Sequence, residues 1–391
     1  MKVLYVNHTA TVSGGERSLL DLLGALPPSV QPRLAAPDGP LRERVAALGV
    51  QVTPILGTAG SLRLHPLHTP RALAELAGAA WQVRRAAAGF GAELVHANSI
   101  RAGLVLALAR PPAASVVHVR DCLPPSALSS ATLRLIGASA DVVVANSRYT
   151  ADAVLAAAPR ARVEVVHNPV DLRRFDPRAI DRSAARERLL GSEQDAVLLA
   201  VVAQLSPWKG QDTAIEALAL LRERGVRARL LLVGSAKFLA RSTRFDNERY
   251  VAGLRELVAR EGLEDHVAWL GEREDVPEIV GALDALLLPS WEEPFGRAVI
   301  EAMALAVPVV ATAVGGPREI LRDGREGYLV APREPRAWAD AVERIVRSSD
   351  GGATLGRAGR GRVTEMFTTE RHAAAMLDVY ERAISARSGR L

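Results

Sequence analysis

The sequence predicts an α/β protein with two Rossmann-like domains, each a parallel sheet covered by helices on both faces. Apolar runs of strand length alternate with helical patterns along the chain, as in doubly wound parallel sheets. A chain of 391 residues is also too long for one ordinary domain. Such sheets bind ligands at the carboxyl ends of their strands, so the functional residues are expected in the loops that follow them.

Eleven segments have the apolar character of buried strands. They are residues 3–6, 93–97, 115–119, 141–145 and 163–166 in the first half, and residues 196–203, 229–233, 267–270, 285–288, 307–311 and 327–330 in the second. Helical patterns rich in Ala, Leu and Arg separate most of these segments.

A polar break near Asn168 and Pro169 divides the chain. A predicted strand ends there, proline interrupts it, and a charged stretch continues to about Asp195. We therefore expect an N-terminal domain over residues 1–168 and a C-terminal domain over residues 169–368. The pattern that begins at Thr369 is helical with no strand after it, so residues 369–391 are expected to form a C-terminal helix.

Composition and charge exclude several classes of protein. The single cysteine, Cys122, excludes an internal disulfide framework, and no apolar run reaches the roughly 18–20 residues of a membrane span. The N-terminus enters a strand without a signal-peptide pattern, so we expect a cytoplasmic protein.

The formal charge of +5 comes from dispersed arginines, and aromatic residues are only 4% of the chain, which argues against a nucleic-acid-binding protein. An anionic substrate, or peripheral contact with the anionic inner face of a membrane, fits this charge better.

Residues 290–304 have the features of a ligand site. The predicted strand at 285–288 leads into a loop shaped by Pro294 and Gly296, after which the spacing becomes helical. The amide groups and the dipole at a helix N-terminus attract anions. Glu293 and Glu301 flank this helix start, which suits the phosphates and hydroxyl groups of a nucleotide sugar. A glutamate-rich helix cap is the alternative interpretation.

Two further loops offer groups for an anionic ligand. Gly14 and Gly15 follow the first strand and allow backbone amides to approach a ligand, although no G-x-G-x-x-G pattern of a nicotinamide dinucleotide site is present. Lys209 is one of only three lysines, and its compact ammonium group suits a pyrophosphate. An ordinary glycine-rich turn and a solvated lysine are the alternatives.

Three histidines, His96, His118 and His167, lie at or near the ends of predicted strands. Each is open to interpretation as a hydrogen-bonded structural residue. Arg120 and Asp121 follow His118 on a loop, and for this histidine a functional role and a structural role are equally open.

Five segments together resemble the motifs of the retaining glycosyltransferases of family 4, which have the GT-B fold. They occur in that family's order between residue 3 and about residue 330. Ser13-Gly14-Gly15-Glu16-Arg17 is similar to the family's Gly-Gly-Ala-Glu-Arg loop with one residue missing, Asn168-Pro169-Val170-Asp171 to its Asn-Gly-Val-Asp linker, Gln204-Leu205 to Lys209-Gly210 to its Arg-Leu…Lys-Gly phosphate loop, Glu293-Pro294-Phe295-Gly296 with Glu301 to its E-x7-E signature, and Val314-Gly315-Gly316-Pro317-Arg318-Glu319-Ile320 to its glycine loop.

This resemblance implies an active site in a cleft between two domains, with the last helix crossing back to the first domain. Lys209 would neutralise the leaving diphosphate, Glu293 would contact hydroxyl groups of the donor sugar, and His118 would lie beside the reacting carbon. Glu301 would hold the ribose of the donor. Further donor contacts would come from Gly15, Gln204, Arg273, Phe295, Gly296 and Arg297.

The sequence departs from the family at Gln204, where members usually have arginine. Glutamine donates a hydrogen bond but carries no charge, so phosphate binding would depend more on Lys209 and on Arg297 or another arginine.

The implied reaction moves a sugar from a UDP- or GDP-linked donor to a hydroxyl group of a glycan, glycolipid or small metabolite, with retention of the anomeric configuration. A nucleotide-sugar 2-epimerase and a catalytically inactive sugar-nucleotide-binding protein are the alternatives. The chain has no Asp-x-Asp pair, so neither a metal nor another cofactor is expected. Acceptor choice is expected to lie in loops such as residues 57–70 and 123–130.

Overall fold

The computed structural model describes residues 1–58, 69–191, 193–237 and 245–389. The chain divides into two compact units, Met1–Pro169 with Thr369–Leu391, and Val170–Thr368. Each unit contains one parallel sheet with helices on both faces, which confirms the predicted fold class. Of the loop predicted at residues 57–70, residues 59–68 lie outside the described residues.

Unit 1 is built on a seven-stranded parallel sheet with the order β3-β2-β1-β4-β5-β6-β7. Its strands are β1 (Lys2–Val6), β2 (Gln31–Ala36), β3 (Gln51–Pro54), β4 (Leu94–Ala97), β5 (Ala114–Val119), β6 (Val142–Ala145) and β7 (Val163–Val165). The helices of its first segment are α1 (Gly14–Gly24), α2 (Pro40–Ala47), α3 (Thr69–Phe90), α4 (Ile100–Ala109), α5 (Ala127–Ser139) and α6 (Arg148–Ala157).

Unit 2 is built on a six-stranded parallel sheet with the order β10-β9-β8-β11-β12-β13. Its strands are β8 (Val197–Val202), β9 (Ala228–Val233), β10 (Val267–Gly271), β11 (Ala285–Leu288), β12 (Val309–Thr312) and β13 (Tyr328–Val330). Its helices are α7 (Arg182–Leu190), α8 (Gln211–Glu223), α9 (Asn247–Arg260), α10 (Val276–Gly281), α11 (Arg297–Ala304), α12 (Pro317–Ile320), α13 (Pro335–Val346) and α14 (Ala353–Met366).

The last helix, α15 (Thr369–Ser388), belongs to unit 1 although it follows unit 2 in the chain. Its apolar residues Met376 and Tyr380 pack in the same core cluster as Val3 and Tyr5 of β1. Burial of this apolar face holds the helix on the sheet.

The two faces of the unit 1 sheet carry different helices. Val3 and Tyr5 of β1 pack with α1, α2 and α15, whereas Leu4 and Val6 pack with α3 and α4. This alternation follows from the two-residue period of a strand. Over the described residues, no helix combines the length and the apolar character that a bilayer crossing requires.

Candidate functional site

The strand order of unit 2 reverses between β8 and β11, and the loops after these two strands lie side by side. The backbone amide of Trp291 donates to the carbonyl of Trp208 over 2.9 Å. In open parallel sheets the crevice at such a reversal is where ligands bind. The chain thereby brings together two segments that the sequence analysis selected independently.

Two glycines permit the close approach of these loops. Gly210 has a φ of 68°, and a Cβ there would lie 2.0 Å from the carbonyl oxygen of Pro289. Gly315 has a φ of 90°, and a Cβ would lie 2.1 Å from the carbonyl oxygen of Glu293. Any larger residue would displace the backbone at these points, because real Cβ atoms do not come so close. The loop after β12 therefore fixes the backbone at Glu293, where the amide of Gly316 also donates to the Glu293 carbonyl over 2.8 Å.

The side chains of Lys209 and Glu293 form a nearly buried ion pair. Lys209 Nζ lies 2.7 Å from Glu293 Oε2, and the hydroxyl of Ser290 donates to the same oxygen over 2.9 Å. Lys209 Nζ also lies 3.8 Å from the centroid of the Trp208 ring. The ammonium group is thus held at the carboxyl end of β8 by a carboxylate and an aromatic face. Ser290, which sequence reasoning did not select, is fully buried and orients this carboxylate.

The helix α11 begins at Arg297, directly after Gly296, which has a φ of 104°. Arg297 Nη2 lies 3.2 Å from Glu301 Oε1 one turn later, and both side chains are mostly buried. The positive end of the helix dipole therefore coincides with a guanidinium group. Phe295 is buried and packs against Phe367, so only its backbone is available to a ligand.

Gln204 and Arg273 also lie in loops at the carboxyl edge of this sheet. The backbone carbonyl of Gln204 accepts from the side-chain amide of Gln211 over 2.9 Å. Arg273 makes a two-pronged contact with Asp275, at 2.7 and 2.6 Å. Hydrogen bonding to Arg273 lowers the pKa of the Asp275 carboxyl. Arg273 follows β10 at the sheet edge, two strands from β8.

In unit 1 a buried polar network lies at the carboxyl ends of β1, β4 and β5. Arg120 donates to the hydroxyl of Ser18 over 2.8 Å and to the side-chain oxygen of Asn98 over 3.2 Å, and Asn98 donates to Asn7 over 3.0 Å. Gly15 lies against Arg120, where a Cβ would be 3.4 Å from Arg120 Cδ. Sequence reasoning missed this network. A signal was present, because a polar residue directly follows each of these strands.

His118 lies in the interior of unit 1 and is hydrogen-bonded to Arg120. It is fully buried, and its Nδ1 accepts from Arg120 Nη2 over 3.1 Å. Its ring lies 5.6 Å from that of His96 and 6.3 Å from that of His372. Burial, reinforced by the charge of Arg120, lowers the pKa of His118 well below its ordinary value, so the ring is neutral. Arg120 lies between this histidine and the loop that carries Gly15.

Models of two families match most of the chain. The model described as Glycosyltransferase Family 4 matches residues 12–174, and the model described as Glycosyl transferases group 1 matches residues 182–362.

Among the described residues, no three His, Cys, Asp or Glu side chains lie together as metal ligands would.

The chain is similar to proteins named D-inositol 3-phosphate glycosyltransferase. It is 33% identical over 320 residues to the protein of Nocardioides sp., which covers 74% of this chain and 67% of that protein. It is 32% identical over 318 residues to the protein of Saccharomonospora viridis, with 76% of this chain and 72% of that protein covered. The protein of Salinispora arenicola is 35% identical over 262 residues, 64% of this chain, and this chain spans only 56% of its length.

Solved structures share the whole fold. The crystal structure of Anabaena Alr3699/HepE in complex with UDP-glucose has a TM-score of 0.82 and 26% identity, covering 97% of this chain and 99% of that one. Sucrose-phosphate synthase from Thermosynechococcus elongatus has a TM-score of 0.78 and 21% identity, covering 98% and 99%, and shows a shared fold alone.

Proposed function

The chain belongs to family 4 of the glycosyltransferases, which have the GT-B fold, and from that premise we propose that it transfers a sugar from a UDP-linked donor to a hydroxyl acceptor with retention of configuration. The observation that carries this proposal is the Lys209–Glu293 pair beside the N-terminus of α11. A cation and a helix dipole suit a diphosphate, and a carboxylate suits sugar hydroxyl groups. UDP as the nucleotide of the donor is supported by the Anabaena structures, which hold UDP and UDP-glucose.

Binding of the donor would exchange the partners of Lys209. Its ammonium group now neutralises Glu293, and a diphosphate with more charge would compete for it. Glu293 would then turn to the hydroxyl groups of the sugar, still oriented by Ser290. In the transition state the leaving diphosphate gains charge, which a fixed ammonium in a site with little water stabilises strongly.

Arg297 offers the charge that Gln204 does not supply. Its guanidinium lies in the first turn of α11, where the helix dipole would otherwise favour an acidic residue. We assign it to the diphosphate, and Glu301, its partner in the free protein, to the ribose hydroxyl groups. Donor binding would therefore separate this pair as well.

Glu301→Ala is expected to weaken UDP binding at least about tenfold, because a carboxylate that accepts from ribose hydroxyl groups contributes about 1.5–3 kcal/mol. Calorimetric titration measures the effect. The same titration with 2′,3′-dideoxy-UDP is the control, since the variant and the natural protein should bind this analogue equally. An equal tenfold loss with the analogue would place Glu301 away from the ribose.

The acceptor is proposed to carry an anionic group such as a phosphate. At the carboxyl end of β4 in unit 1, Ser99 caps α4, and its hydroxyl lies 2.9 Å from His8 Nδ1. Arg101 follows in the first turn of α4. Burial, with the nearby Arg101 charge, lowers the pKa of His8 to about 4. A neutral imidazole, an arginine and a helix N-terminus suit an anion, and the relatives named for D-inositol 3-phosphate support the same chemistry.

His118 is proposed to position Arg120 rather than to touch substrate. The burial of its ring leaves Arg120 as the group that faces the polar network. A neutral imidazole that accepts from the guanidinium fixes its direction without adding a competing charge.

Transfer is proposed to need no metal, so activity in excess EDTA should stay near its untreated level. Lys209, Arg297 and the α11 N-terminus together would supply the positive charge that a divalent cation otherwise provides. UDP release measured with EDTA and then with added magnesium or manganese tests this. Loss of activity in EDTA that either metal restores would contradict the proposed diphosphate site.

The two alternatives are separable by one assay. Labelled UDP-sugars incubated with the protein would give transfer or slow hydrolysis if the proposal holds. A 2-epimerase would convert the sugar and leave it attached or release it as the epimer, and an inactive protein would bind UDP without turnover. Gln204 is the feature that favours the inactive alternative.

A further inference from the structure

One surface of unit 1 is formed by α3 and the chain segments beside it, and we call it the α3 surface. Its members are Leu56, Leu73, Trp81, Arg84, Arg85 and Leu108. The four apolar members are 60% (Leu73), 58% (Trp81), 49% (Leu108) and 48% (Leu56) exposed, and over the described residues no other large apolar side chain is as exposed. Exposed apolar groups gathered on one surface indicate a binding partner.

Hydrogen bonds place the neighbouring chain segments beside α3. Leu73 and Trp81 lie two turns apart on α3 and share a face. The amide of Leu56 donates to the side chain of Gln82 of α3 over 2.6 Å. Arg84 donates to the carbonyls of Ala109 and Arg110 over 3.1 and 2.8 Å, which places the end of α4, with Leu108, beside α3.

The charge of the surface is positive. Arg85 lies 4.9 Å from the centroid of the Trp81 ring, so a cation is stacked on this exposed aromatic side chain. The α3 segment contains three arginines and one acidic residue, Glu75. Arg84 and Arg85 are both exposed.

Apart from the indole N–H of Trp81, the outer face of α3 lacks neutral hydrogen-bonding side chains. Its exposed positions between Leu73 and Gly89 are occupied by Leu, Ala, Trp, Arg and Gly alone. Protein interfaces have a polar rim and about one hydrogen bond per 100–200 Å². Binding to a bilayer surface requires only apolar groups, an interfacial tryptophan and cations that face anionic headgroups.

We propose that the α3 surface docks unit 1 on an anionic lipid bilayer, with α3 lying in the plane of the headgroups. Trp81, Leu73, Leu56 and Leu108 would enter the interface, and Arg84 and Arg85 would face lipid phosphates. Such docking goes beyond sugar transfer and would bring the protein to acceptors held at the membrane.

Vesicle flotation at low salt tests the docking with the full chain. Vesicles of phosphatidylcholine with phosphatidylglycerol should bind the protein, vesicles of phosphatidylcholine alone should bind it far less, and added salt should release it. The double variant Leu73→Ser/Trp81→Ser should lose at least about tenfold in the vesicle partition coefficient, since two large apolar groups leave the interface. Arg85→Glu should lower the partition coefficient on anionic vesicles about tenfold or more, since the change replaces a cation near an anionic surface with an anion.

Leu48→Ser is the matched control. Leu48 is 45% exposed at the end of α2, which packs on the opposite face of the unit 1 sheet. The Leu48→Ser variant should bind vesicles as the natural protein does, and all variants should keep the unfolding temperature of the natural protein. Absence of binding to anionic vesicles, or equal losses in the control and the α3 variants, would overturn the proposal. Binding that resists salt and that the α3 substitutions leave intact would indicate contact through a different surface, and it would overturn the proposal as well.

Discussion

Lys209→Ala is expected to lower turnover by about 10²–10³-fold, the usual loss when one preorganised group that stabilises transition-state charge is removed. The structure gives the reason, because the ammonium is fixed by Glu293 and the Trp208 ring before any donor arrives. UDP affinity should fall by less, since the charge on the diphosphate is greatest when the bond to the sugar breaks. Turnover from UDP release and affinity from calorimetry separate the two effects.

Lys237→Ala is the matched control for the loss of one ammonium group in unit 2. Lys237 Nζ lies 3.1 Å from Glu272, in a loop at the same edge of the sheet, and its removal should leave turnover within about twofold. The Lys209→Ala variant leaves the carboxylate of Glu293 without its cation. The double variant Lys209→Ala/Glu293→Gln removes the charge of this carboxylate as well. Near-normal turnover in Lys209→Ala would show that this lysine only neutralises Glu293.

Mild acid is expected to destabilise unit 1. Burial lowers the pKa of both His96 and His118 well below the ordinary value of 6.5. Above pH 6.5 these rings are neutral in both states, and their burial has no pH-dependent cost. Below pH 6.5 the unfolded chain binds protons that the folded unit excludes, so the free energy of unfolding falls by about 1.4 kcal/mol per pH unit for each histidine.

The effect of the two histidines should approach 3 kcal/mol between pH 7.5 and pH 5.5, roughly twice 1.4 kcal/mol. Carboxylates such as Asp176 and Asp350, with pKa values lowered to about 2, lose their contribution only in stronger acid. Hydrogen exchange of the β4 and β5 amides at the two pH values reports the opening of unit 1 directly. His96→Phe removes one titrating ring and should reduce the pH dependence by about 1.4 kcal/mol over this range, whereas equal protection at both pH values would contradict buried neutral histidines.

The sheets were largely predictable from the sequence, because parallel strands buried on both faces are apolar runs that stand out between helices. All eleven predicted segments contain strands in the structure. The strands β2 and β3 were not predicted. Gln31, Pro32 and Arg33 open β2, and β3 has four residues at the sheet edge, so neither shows the apolar run of an internal strand.

The loops of the candidate site were predictable, but their pairings were not. Lys209 and Glu293 each follow a strand, and only the order of the sheet places β8 beside β11. His118 shows a further limit, because every residue of β5 is buried and a strand-end position does not reveal exposure. The roles of these residues stay predictions until the variants are measured.

NMR tests the proposed transfer most directly. Each mixture contains the protein, one UDP-sugar (UDP-glucose, UDP-galactose or UDP-N-acetylglucosamine), and inositol either with or without a phosphate group. The expected result is release of UDP and a new anomeric signal of a product with the α configuration of the donor, in the presence of the phosphorylated acceptor. A β-linked product would contradict retention. Unchanged UDP-sugars, with no transfer and no hydrolysis, would contradict the proposed enzyme.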